Sequence, residues 1–92
     1  MEREQLKEQV AAKQADLLNA ILSGGFSFAK LAAERAAAGD MAGATLAVDC
    51  AVKARDAATR LVPRATFLHA QNRNQILDDL NTLSELVGEL SK

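Results

Sequence analysis

The segment ILDDLNTLSELVGEL, residues 76–90, decides the fold class. Ile76, Leu80, Leu83, Val87 and Leu90 recur at alternating spacings of four and three, the rhythm of a helical seam. At about 100° per residue, Leu77 and Leu86 flank that seam and widen the apolar stripe to roughly half the helix circumference. A two-stranded seam needs less, so this helix is expected to have neighbours on both sides. Asp78, Asp79, Glu85 and Glu89 fall on the outer side and read as solubilising groups, not as a catalytic pair.

Upstream, HAQNRNQ (residues 69–75) has no apolar residue beyond Ala70, and its asparagines are poor helix-interior residues. The last helix is expected to run from about Arg64 to Leu90, with Asn72 or Asn74 as alternative starting caps. Pro63 lacks an amide hydrogen and crowds the preceding turn, so it turns the chain or kinks one long helix. Before it, a helix from about Met41 to Val62 carries Met41, Ala44, Val48, Ala51, Ala58 and Val62 on one side. Asp49–Lys53 and Asp56–Arg60 stand four apart on the other, the acid first, as on a solvated face. Asp40 is the expected N-cap of that helix, its carboxylate facing the free amides of the first turn.

Gly39 and Asp40 separate it from a helix over Phe26–Ala38, and Ser23-Gly24-Gly25 is read as the end of a first helix over Glu2–Leu22. Leu6, Val10, Leu17 and Ile21 fall on one face of that first helix, widened by Leu18 and Leu22 near its end; Lys13 and Gln14 interrupt the stripe midway, so its first half is expected to pack loosely or to meet a partner. Phe26 and Phe28 are read as anchoring the turn to the core. Ala32, Ala33, Ala36 and Ala37 are expected to meet Ala44, Ala47, Ala51, Ala54 and Ala58 in a close helical pair. The fold class is thus all-α: a single domain over residues 1–92, an antiparallel bundle of three to four helices with an Ala-rich central hairpin.

The stretch AKLAAERAAAGDMAGATLAVDCAVKA (residues 29–54) resembles one helical hairpin of the tetratricopeptide type. Leu31, Ala32, Gly39-Asp40, Ala44 and Ala51 stand where that family places its first-helix leucine, small residue, turn and second-helix alanines. One copy is present, over less than a third of the chain, and most of the family's aromatic positions are not matched. With the helix that follows, the hairpin also looks like the microtubule-interacting and trafficking domain, a three-helix bundle that binds peptide helices. Either resemblance implies a peptide- or helix-binding module.

Composition narrows the function classes. Eleven Lys and Arg against twelve Asp and Glu leave a formal charge of −1, without the cationic excess that general phosphate binding requires. Cys50 is the only cysteine and His69 the only histidine, so neither a disulfide framework nor a metal set is expected. Cys50 reads as a small buried residue and His69 as an exposed one. Ser23-Gly24-Gly25 lacks the Gly-Lys-Ser/Thr of a phosphate loop. The N-terminal MEREQLKEQV carries both charges and no apolar run, and no apolar run approaches the roughly 20 residues that cross a bilayer, so a cytoplasmic address is expected.

No enzyme, cofactor, small-molecule substrate or membrane association is expected. The reading is a protein–protein interaction module (adaptor, chaperone or regulatory inhibitor). It binds a protein partner, or a second copy, through Ile76, Leu77, Leu80, Leu83, Leu86, Val87 and Leu90. The alternative is a small DNA-binding regulator that reads base edges with Arg64, Gln71, Asn72 and Arg73.

Overall fold

A computed structural model describes residues 2–66 and 68–91. These residues form α1 (Glu2–Ala37), α2 (Met41–Leu61), a 3-10 turn (Val62–Arg64) and α3 (Ala70–Leu90), with no strand among them. The described residues are all-helical, with three α-helices among them where four were the upper expectation.

The difference lies at Ser23-Gly24-Gly25, where α1 runs on without a break. Two interior glycines weaken a helix by about 1 kcal/mol each relative to alanine, which does not end it when both flanks are packed. Gly25 is buried, and a Cβ built on it would stand 2.6 Å from Leu83 Cδ2 and 3.2 Å from Ala54 Cβ. The missing side chain lets α1 approach α2 and α3 together. Gly24 faces open space, with nothing within 4 Å of its Cβ position.

The residue that does end α1 is Gly39, at φ 82°. Its N–H donates to Ala36 O (3.1 Å) and the Asp40 N–H to Arg35 O (2.9 Å). These two bonds satisfy two of the terminal carbonyls in a left-handed cap. Asp40 then caps α2 as expected, its Oδ1 accepting from the Gly43 N–H at 2.9 Å. Three residues thus reverse the chain and lay α2 back along α1.

At the far end Pro63 turns the chain and does not kink a long helix. The 3-10 turn carries it at the first turn, and the Ala65 N–H bonds back to Leu61 O and Val62 O. α3 starts at Ala70, six residues later than the Arg64 start and earlier than either asparagine. His69, extended at ψ 148°, holds the N-cap position without a side-chain cap. The Arg73 guanidinium donates to Ala65 O at 2.7 Å and ties Ala65 to the first turn of α3.

All three helices contact one another. Their shared core contains Leu18 and Leu22 of α1, Ala51 and Ala58 of α2, and Ile76, Leu80, Leu83 and Val87 of α3. Val62, Ala65 and Leu68 close it at the linker end. On α1 the buried row is Ala11, Ala15, Leu18, Leu22, Gly25, Ala29 and Ala32, again at alternating spacings of four and three. Of the expected stripe, Leu18 and Leu22 belong to this row, whereas Leu6 and Leu17 are exposed and Val10 and Ile21 half-buried. The alanine pairing is also narrower than expected. Ala32 is buried against the hairpin with Ala44, Ala47, Ala51 and Ala58, whereas Ala33, Ala36 and Ala37 point to solvent and Ala54 is half-buried. Met41, expected on the inner side of α2, is exposed.

The Cα trace measures 57 × 16 × 16 Å. The long dimension is α1 itself, ~54 Å at 1.5 Å per residue, against ~31 Å for α2 or α3. Leu61 and Ala65 lie beside Leu17, Leu18 and Gln14. The first turns of α1 therefore extend past the end of α2, and no described side chain before Ala11 is buried.

Candidate interaction surface

The apolar seam of α3 belongs to the chain's own core. Ile76, Leu80, Leu83 and Val87 are between 0 and 9% exposed, and Leu90 packs partly buried against them. They face α1 and α2, which cover the seam but not its two flanks. Leu77 and Leu86 remain exposed, but nine residues separate them, about 180° around the helix, so they share no face. Leu86, with Leu90, lines an open groove of about 560 Å3 against Phe26, Ala29 and Ala33 of α1, and Leu77 is not part of it.

The polar and basic residues at the start of α3 are placed differently from one another. Gln71 and Asn72 are exposed on the first turn, and Arg64 is exposed on the 3-10 turn. Arg73 is half-buried and held by Ala65 O. Arg55 sits on Asp56 at 3.0 Å, a neighbour pair that replaces the expected Asp56–Arg60 bridge. Asp49 and Lys53 do pair, at 3.1 Å, and the hydrogen bond that the Lys53 ammonium donates to Asp49, followed by the carboxylate's charge, raises the Lys53 pKa above the ordinary lysine value.

Cys50 is a half-buried free thiol and His69 is exposed. Among the described residues no three His, Cys, Asp or Glu side chains gather at metal-binding distance, and no polar side chain is buried. No described helix is long and apolar enough to cross a membrane.

The outer side of the α1–α2 hairpin, away from α3, is where large apolar side chains collect. Phe28 and Leu31 of α1 face Gly43, Leu46, Ala47 and Cys50 of α2 across an open groove of about 330 Å3. Arg35 and Asp40, paired at 3.6 Å, close one end. Leu46 is 69% exposed, Phe28 40% and Leu31 37%. Phe28, read from the sequence as a core anchor, is part of this surface, while Phe26 does pack partly buried against the core.

The apolar line continues along α1 past the groove. Leu6, Leu17 and Phe28 are eleven positions apart, and Leu6 and Leu17 are 61% and 54% exposed. Eleven residues are three turns plus about 20°, so the three stand in one row on the helix. The signal for this row was present in the sequence as the large-residue stripe of α1. Periodicity alone does not divide that stripe: its Leu18 and Leu22 edge is core, and its Leu6 and Leu17 edge is exposed.

Comparison with family models, with curated proteins and with solved structures finds no match to this chain.

Proposed function

We propose that the chain is a protein–protein interaction module: an antiparallel three-helix bundle that presents an apolar helical face to a protein partner. The observation that carries this reading is the outer hairpin face, where Leu17, Phe28, Leu31 and Leu46 all remain substantially exposed. Single exposed leucines are ordinary, but a row of them beside a groove marks a contact surface. On α3 the seam residues Ile76, Leu80, Leu83 and Val87 are buried within the chain, while Leu77 and Leu86 are exposed.

The resemblance of residues 29–54 to a tetratricopeptide-type hairpin, and of the whole to a three-helix peptide-binding domain, points the same way. Adaptor, chaperone and regulatory inhibitor are the roles open to such a module. Duplex DNA binding is the weaker reading, because Arg73 is engaged with Ala65 O and the basic side chains left around Gln71 and Asn72 are few.

The test is a photo-crosslinking residue placed at Leu46, with the same residue at Glu85 on α3 as the solvent control, in the cells the protein comes from. A discrete adduct from position 46, absent from position 85 and lost in Phe28→Asp, supports the reading. Absence of any adduct from position 46 overturns it.

A further inference from the structure

We propose that the groove between α1 and α3 receives a cationic amphipathic helix of a partner protein. The apolar face of that helix lies on Phe26, Leu86 and Leu90, and its Lys or Arg flank lies over Asp79 and Glu89. Phe26 and Phe28 are two positions apart, about 160° around α1, so this groove and the Phe28–Leu46 groove open on opposite sides of the helix. The inference adds a second surface to the module and does not depend on the outer face.

Two depressions that share Phe26 and Lys30 make up the groove. The larger, about 560 Å3, has Phe26, Ala29, Ala33, Leu86 and Leu90 as its apolar lining. The smaller, about 410 Å3, continues it past Ser23 and Asn19 of α1 and Asp79 of α3. From Asn19 to Ala33 the α1 wall rises ~21 Å, about four turns. Its Ser23, Ser27, Ala29 and Ala33 are short, which lets another helix approach to the usual spacing of about 8–10 Å. Both walls are helices whose interior backbone groups already bond within themselves. An extended chain would bury its own amides there without partners. A helix brings its backbone bonds with it and needs only apolar anchors on successive turns.

Charge says which helix fits. Asp79 and Glu89 stand on the α3 edge of the groove, and Lys30 is the one cation among the residues that line it. Asp79 accepts a hydrogen bond from the uncharged Gln75 amide at 3.1 Å, and among the described residues neither acid is in an ion pair. Asp78 and Glu85, farther round α3, strengthen the negative field without lining the groove. Arg73 is the only Lys or Arg of α3, and it is held at Ala65 O. A basic flank over α3 therefore meets two carboxylates that have no cation of their own, and the flank beside Lys30 must be neutral or acidic. Such rim charges select the partner and its orientation more than they add affinity.

A second copy of this chain offers no helix of that kind. The start of its α1, EREQLKEQ, mixes both signs. The outer side of its α2 does the same with Asp49, Lys53, Asp56 and Arg60.

The test uses the full chain and a fluorescent synthetic helix of about 18 residues, long enough for the groove, with one leucine face flanked by lysines. A second peptide carries glutamates in place of the lysines. Fluorescence anisotropy is expected to show binding of the lysine peptide alone, weakening as salt rises. Leu86→Gln should weaken it about tenfold through the lost leucine contact, and Ala33→Gln serves where Leu86→Gln unfolds. Asp79→Asn with Glu89→Gln should weaken it several-fold and flatten its salt dependence. Asp78→Asn with Glu85→Gln, equal in charge but outside the groove, should change it less, and Leu46→Gln on the outer face not at all. Circular dichroism checks that each variant is folded. Equal loss from the two acid pairs, or no loss from either groove variant, overturns the groove, since the peptide then follows net charge alone. Equal binding of both peptides, or binding of neither, overturns the cationic partner. A doubled chain mass by light scattering that Leu86→Gln returns to 9.8 kDa gives the groove to a second copy and overturns the proposal. None of these results touches the Leu46 photo-adduct, so the outer-face reading holds or fails separately.

Discussion

Gly25 and Leu83 are in contact across the α1–α3 interface so closely that no side chain fits between them: a Cβ on Gly25 would lie 2.6 Å from Leu83 Cδ2. Leu83 is fully buried, and Ala54 Cβ stands 3.2 Å from the same point. The three helices therefore converge at a glycine in the middle of α1. The neighbouring Gly24 has no such constraint, although the two are adjacent in a run that reads as a simple helix stop.

This contrast gives opposite signs for the same substitution one residue apart. Gly25→Ala must displace Leu83 or separate the helices, which costs about 1–3 kcal/mol and outweighs the gain of about 1 kcal/mol in helix propensity. Gly24→Ala meets open space and should stabilise the monomeric fold by about 0.5–1 kcal/mol. Urea denaturation of both variants checks the pair. In a Leu83→Ala background the penalty of Gly25→Ala should vanish, because the methyl then enters the space left by the leucine. A penalty that persists in the double variant would show that the cause lies elsewhere than in this contact.

The reversal between α1 and α2 rests on Gly39 and Asp40, and each should fail in its own way. Gly39→Ala places a Cβ on a residue at φ 82°, a strain of about 1–2 kcal/mol. Asp40→Ala removes the acceptor of the Gly43 N–H and should lose about 1 kcal/mol, whereas Asp40→Asn should keep most of the stability. The Arg35–Asp40 pair is 3.6 Å apart and half exposed, so Arg35→Ala should change stability by only a few tenths of a kcal/mol. Thermal unfolding of the four variants ranks them. An Arg35→Ala loss as large as that of Asp40→Ala would mean that the ion pair, and not the cap, holds the turn.

Arg73 should behave as a structural clamp. Removal of its 2.7 Å bond to Ala65 O in Arg73→Ala is expected to lower stability by about 1 kcal/mol and to speed amide exchange at Thr66 and Leu68. Arg64→Ala, at an exposed position, should stay within about 0.5 kcal/mol of the parent. Equal effects of the two substitutions on stability and exchange would remove the clamp from the account of this loop.

How much of this was legible in the sequence depends on which signal carried each element. The α3 seam was plain because its residues are large and its spacing regular, and Asp40 after Gly39 announced the turn before α2. What periodicity could not say is whether a seam faces its own chain or another, since both hide the same residues from water. On α1 the expected stripe holds Leu18 and Leu22, which are core, beside Leu6 and Leu17, which are exposed, while Ala11, Ala15, Ala29 and Ala32 supply the rest of the core without standing out by size. The alternation of fours and threes in the small-residue stripe runs through Gly25 without a break. That unbroken rhythm was the available evidence that the helix continues, and the glycine pair masked it. The start of α3 was misplaced because His69 holds the N-cap position by backbone geometry alone, without a side-chain bond.

The core assignment of α3 has a consequence that separates folding from assembly. Leu83→Ala empties a fully buried site and should lose about 2–5 kcal/mol, depending on how far the neighbours collapse. For a chain of this size that is a large part of a total on the order of 5–10 kcal/mol. Leu80→Asp with Leu83→Asp places two charges among Leu18, Leu22 and Ile76 and should abolish cooperative unfolding altogether. Leu77→Asp and Leu86→Asp alter exposed positions on opposite sides of the same helix, and each should leave stability within about 0.5 kcal/mol of the parent. Circular dichroism read beside light scattering distinguishes the two possibilities. If the Leu80, Leu83 double variant stays helical and only its mass changes, the seam is an interface after all and the packing of α3 against α1 and α2 is wrong.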